Sequence, residues 1–145
     1  MATTISVEVS YGQLAVFASI LTQPFNDWTE QHVAQGFAWR PGSVSFRSME
    51  ESGCYSVDIE VINHLGVLHP DTVRAIEVPF EVPTDGDIEI GSITETIPLS
   101  LPTGSYLLRC EFLLSVDTTD KRVRLIFAKQ DIPRFAVVRA DAELK

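Results

Sequence analysis

Alternation with a period of two is the feature that most constrains this chain. Ile5, Val7 and Val9 alternate with Ser6, Glu8 and Ser10; Val57, Ile59 and Val61 with Asp58 and Glu60; Ile76, Val78, Phe80 and Val82 with Glu77, Pro79 and Glu81; Ile88 and Ile90 flank Glu89. Side chains on a strand point to opposite faces in turn, so each run reads as a strand with one face on a core and one in water. Further strands are expected at 15–22, 44–48, 95–101, 105–115, 123–129 and 135–140. Pro41-Gly42, Asp85-Gly86 and Pro102-Thr103-Gly104 punctuate them, and Asp85-Gly86 reads as the turn of a hairpin. Short strands recurring every ~8–12 residues predict an all-β fold, an antiparallel, jelly-roll-like β-sandwich. One domain is expected over residues 1–145, a length ample for a core.

One helix is expected, at 28–35. Asn26 or Asp27 is placed to cap it, Asp27 and Glu30 have capping-box spacing, and Gly36 suits the left-handed residue that ends it. Trp28 is then expected to be largely buried, tying the helix to the sandwich. Residues 63–73 form the longest expected loop. The longest apolar stretch, residues 14–21, is too short to span a bilayer, and with no basic residue before Arg40 it makes a poor export signal. The chain is therefore expected in the cytoplasm, reaching a membrane only through a partner. Cys54 and Cys110 are expected free in that compartment.

Charge narrows the partners. The net charge is −9 and the pI about 4.6, which disfavours direct binding to nucleic acid or insertion at anionic lipid and favours a basic protein partner. The imbalance is local. Between residues 50 and 95 there are eleven acids and one base, Arg74; the rest of the chain has nine acids and ten bases. Asp58 with Glu60, Glu77 with Glu81, and Glu89 occupy the polar sides of three strands. If those strands adjoin, they make a face of carboxylates.

Catalytic signals are weak. His64, His69 and Asp71 are near one another in sequence, but His-x4-His in a loop is a poor metal pattern, and two exposed histidines explain it better. No Gly-x-Ser-x-Gly elbow or phosphate-cradling glycine loop is present. Asp85, Asp87 and Glu89 lack the ligand spacing of a calcium loop. No cofactor, no metal and no catalytic residue is expected.

Several segments resemble the competence protein J family, the inhibitors of the DNA-entry nuclease. They are Asp27-Trp28-Thr29, Gly36-Phe37-Ala38, Val44-Ser45-Phe46, the start from Ile5 to Val16 with Tyr11, Val78-Pro79-Phe80, and Leu101-Pro102-Thr103-Gly104-Ser105-Tyr106 followed by Leu108 and Cys110. Residues 121–145 match least. The resemblance implies a non-enzymatic inhibitor of a bacterial DNase, with a DNase immunity protein as a close variant; it transfers no contact residues. Joined to the charge pattern, it predicts an interface at Asp58, Glu60, Glu77, Glu81 and Glu89 competing with DNA, with Trp28 and Trp39 as a second candidate patch. The rival is a ligand- or carbohydrate-binding sandwich using the same two tryptophans.

Overall fold

The computed structural model describes residues 2–49, 51–93, 95–114, 121–129 and 135–139. Eleven strands and one short helix occur among them: β1 (Ala2–Val9), β2 (Gln13–Ala18), α1 (Glu30–Gln35), β3 (Phe37–Arg40), β4 (Ser43–Arg47), β5 (Gly53–Ile62), β6 (Thr72–Val82), β7 (Asp87–Ser92), β8 (Glu95–Ser100), β9 (Gly104–Leu113), β10 (Lys121–Lys129) and β11 (Ala136–Arg139). They form a six-stranded sheet ordered β1-β5-β10-β9-β6-β11 and a five-stranded sheet ordered β3-β4-β2-β7-β8. The expected β-sandwich is what the chain forms. Its core lies between the sheets, where Val57, Ile59, Val78, Phe80, Leu108 and Phe127 of one meet Leu14, Val16, Phe46, Ile88 and Ile90 of the other. These are the apolar members of the alternating runs. Among the described residues no helix is long and apolar enough to cross a membrane.

All pairings are antiparallel except β5 with β10. Since β10 opposes β9 and β9 opposes β6, β5 and β6 run the same way. The link between them, residues 63–71, must therefore return along the length of the sheet. Such crossovers are usually helical; this one is not, and it lies over the outer face of the six-stranded sheet.

Three local expectations need correction. Asp85-Gly86 does not close a hairpin, because β6 and β7 belong to different sheets. The turn carries the chain across the sandwich, and Pro102-Thr103 carries it back; the two crossings adjoin, with Leu101 N donating to Gly86 O at 2.9 Å. The helix begins at Glu30, capped by Thr29 rather than Asn26 or Asp27. Thr29 Oγ1 accepts from His32 N at 3.4 Å, and Thr29 N donates to His32 Nδ1 at 3.1 Å, a capping box with histidine in the usual Glu position. Asn26 is unavailable as a cap because its amide donates to Ala38 O (3.1 Å) and its carbonyl accepts from Arg40 Nε (2.8 Å), which fastens this segment to β3. Gly36 ends the helix at φ 89°, as expected. The strand β3 was hidden by its brevity.

The tight turn from β1 to β2, which also carries the chain from one sheet to the other, passes through Tyr11 and Gly12, at φ 55° and 68°. Two left-handed central residues define the type I′ turn, which favours Asn, Asp or Gly at the first position. Tyrosine there costs roughly 1–2 kcal/mol of backbone energy.

Cys110 points into the core, whereas Cys54 is exposed on the opposite face of the same sheet; both are free. Burial, and then the neighbouring Glu111 carboxylate, push the Cys110 thiol well above its usual range. A thiol-specific disulfide reagent should therefore titrate one cysteine in the native protein and two after denaturation without reductant. Two rapid equivalents in the native state would contradict this burial; none after denaturation would mean a bridge.

Candidate protein-binding surface

The outer face of the six-stranded sheet carries most of the carboxylates singled out in the sequence, and it is not a bare acidic field. Asp58 and Glu60 project from β5, Glu77 and Glu81 from β6, and Glu111 from β9. β5 and β6 do not adjoin; β10 and β9 stand between them and bring Arg122, Arg124 and Arg109. Arg122 lies 3.8 Å from Asp58, and Arg124 lies 3.9 Å from Glu60 and 2.9 Å from Glu111. Arg109 lies 3.3 Å from Glu111 and 2.9 Å from Glu77. Acids and bases thus alternate across the sheet from Glu60 to Glu77.

The crossover explains why part of this chain of charges is buried. Residues 63–71 lack a helix, so their backbone groups need other partners. Arg109 Nη1 donates to Gly66 O at 3.0 Å, and His69 N donates to Glu111 Oε1 at 3.3 Å. Thr72 Oγ1 donates to the same oxygen at 3.2 Å. Glu77 is 1% exposed and Glu111 0%, so in this structure neither carboxylate is open to a protein partner. A buried charge must be paired and hydrogen-bonded, and here the loop supplies part of the pairing.

Glu89 stands apart from this face, on β7 of the other sheet, where Thr96 Oγ1 donates to it at 2.7 Å. Asp85 and Asp87 flank the same crossing turn, and Glu81 is exposed near it. Asp27, Glu30, Glu81, Asp85, Asp87 and Glu89 make no ion pair among the described residues. Glu50 lies outside those residues.

The two tryptophans have separate tasks. Trp28 is only half-buried, which corrects the expected deep burial; it sits on the outer side of the five-stranded sheet, its indole N–H on Gln13 Oε1 at 3.2 Å. Trp39 packs at the edge of the core, donating to Pro79 O at 2.7 Å and meeting the Phe135 ring edge-on at 5.0 Å. The pair therefore do not form one stacking platform for a sugar, although a cavity of about 380 Å³ lies beside Asp27, Trp39 and Arg40. His64 is exposed, and His69 Nδ1 accepts from Asp71 N at 3.0 Å. Among the described residues no three His, Cys, Asp or Glu side chains group as metal ligands.

Sequence reasoning overlooked Arg109 and read Arg122 and Arg124 only as a basic strand that could itself meet a partner; their value lies in where β9 and β10 insert. It also passed over the strain at Tyr11, although a Tyr-Gly pair between two alternating runs was a legible turn signal.

Over residues 6–128 the sequence matches the family model described as competence protein J (ComJ). The chain belongs to that family. A curated relative, the DNA-entry nuclease inhibitor of Bacillus subtilis (strain 168), is 29% identical over 109 residues, spanning 72% of this chain and 76% of the relative. The fold is similar to that in the crystal structure of ComJ, inhibitor of the DNA degrading activity of NucA, from Bacillus subtilis. The TM-score is 0.72 at 23% identity, over 88% of this chain and 96% of that one. It is also similar to the protein of crocagin biosynthetic gene J, with a TM-score of 0.58 at 12% identity, over 87% and 96% of the two chains. At these identities the two structures speak to the fold.

Proposed function

We propose that this protein is a non-enzymatic inhibitor of a bacterial DNase and acts by docking onto the basic surface with which that enzyme grips DNA. The family match over residues 6–128 carries this reading, because the relative that bears a functional name is a nuclease inhibitor. Electrostatics supports it. Six arginines are engaged within the molecule: Arg109, Arg122 and Arg124 on carboxylates, Arg74 on Arg47 O, Arg47 on Val33 O and Arg40 on Asn26. Among the outward carboxylates, Glu81, Asp85, Asp87 and Glu89 gather near one crossing turn, Glu8, Glu51 and Glu95 lie at the end of the sandwich that carries Tyr11, and Asp27 and Glu30 stand at the start of the helix. A DNase binds phosphates through Lys and Arg, so such carboxylates can compete with DNA for the same groove.

The test is a titration of the purified protein against the non-specific DNase of its own organism. Near-stoichiometric inhibition is expected at low salt. The association rate should fall about ten-fold or more as salt rises, since opposite charges steer the encounter. Undiminished DNA degradation at large excess, with no heat of binding, would overturn the reading.

A further inference from the structure

The turn at Tyr11 combines backbone strain with an idle side chain. Among the described residues Tyr11 is the one non-glycine with positive φ. Its ring is 69% exposed and has no hydrogen bond or ring contact among those residues. Strain of this kind persists only where the surroundings enforce it, and it gathers at functional positions. The surroundings here do enforce it. Gly12 N donates to Glu51 O at 2.7 Å and Ser48 N donates to Gly12 O at 2.9 Å. The Ser92 hydroxyl bridges to the turn, within 2.7 Å of Ser10 O and 3.0 Å of Gln13 O, and accepts from Ser10 N at 2.9 Å. The tip of the turn is thereby fixed, and the ring is presented to solvent from a rigid base.

Ser92 also sets the neighbour. The next residue, Ile93, is 49% exposed on the adjoining β7–β8 turn. Glu8, Glu51 and Glu95 lie at this end of the sandwich, are exposed, and make no ion pair among the described residues. Arg47, at the same end, is turned to Val33 O at 3.1 Å.

We propose that Tyr11, with Ile93 on the adjoining turn, is the anchor by which the protein docks onto its nuclease, and that Glu8, Glu51 and Glu95 form the rim facing that enzyme's basic surface. The proposal rests on the inhibitor reading above and adds the contact. An apolar centre with a polar rim is the ordinary anatomy of a protein interface, and tyrosine is enriched at its energetic centre. A ring held in place before binding loses little freedom on docking. Of the outward acidic groups, this one alone shares its end of the sandwich with a strained aromatic, which selects it.

The experiment replaces the tyrosine by the residue the turn prefers. Tyr11→Asn in the full chain should raise the melting temperature by about 2–4 °C through relief of strain. It should also weaken inhibition of the matched DNase by about 30-fold or more. A residue kept for structure alone cannot move the two readouts in these opposite directions. Full inhibition by Tyr11→Asn with melting unchanged or raised would remove Tyr11 from the interface and leave the inhibitor reading intact. A fall in melting would mean the ring stabilises the fold, and overturns the proposal too. A wild-type protein that binds no DNase overturns the inhibitor reading, and this one with it.

Discussion

Arg109→Ala is expected to destabilise the protein by about 3–5 kcal/mol, the largest loss from any single charge substitution on the six-stranded sheet. The reason is asymmetry. Arg109 is nearly buried and bonds Glu77, Glu111 and Gly66 O at once. Its removal takes an ion pair from each of two buried carboxylates, leaving Glu111 on Arg124, and takes a donor from a loop carbonyl. Arg122→Ala provides the contrast. Its 3.8 Å pair with Asp58 is open to water on both sides, at 39% and 33% side-chain exposure, and water-accessible pairs contribute about 0–1 kcal/mol. Chemical denaturation of both variants measures the difference. Protease cleavage within residues 63–71 should appear in the Arg109 variant, because the crossover loses a fastening. Equal losses in the two variants would mean that the buried network is solvated after all.

Gly91→Ala should cost about 3 kcal/mol, at the upper end for added volume in a packed site. A Cβ on Gly91 would fall 2.2 Å from Glu95 O and 2.7 Å from Thr96 Cα. Both are backbone atoms of the paired strand β8, so no side chain can swing aside. The β7–β8 hairpin must open, and Ser92 would lose its hold on Ser10. A lower melting temperature and faster amide exchange along β1, β7 and β8 are the expected observations; a melting curve like that of the unsubstituted protein would contradict this packing.

Much of the fold was legible because a strand with one wet face writes its burial into adjacent residues. Val57-Asp58-Ile59-Glu60 needs no knowledge of the rest of the chain to be read as β5, and the same holds for β6 and β7. Turn chemistry was legible only in part. Asp85-Gly86 announces a reversal, but not whether the next strand pairs with the last or crosses to the facing sheet; that depends on which sheet has a vacancy. The same limit governed the surface. Counting residues 50–95 finds an excess of acid, yet the arginines that answer Asp58, Glu60 and Glu77 lie at 109, 122 and 124, and only the insertion of β9 and β10 brings them there. Helix capping failed for a similar reason, since Asn26 was drawn away by Arg40 and Ala38 across the fold.

The placement of β10 bears on how the protein can be made. Residues 121–129 are translated after every other strand but β11, yet they fill the slot between β5 and β9. Until they emerge from the ribosome, the nascent chain has two raw hydrogen-bonding edges flanking a gap one strand wide. Asp58 and Glu60 also await Arg122 and Arg124. The sheet cannot close vectorially from the N-terminus; a single late segment must zip both edges and quench the charge together. Non-local pairing of this kind folds slowly and leaves open edges to find other chains. Synthesis that stalls before Lys121 yields a species prone to aggregate rather than a smaller folded sandwich.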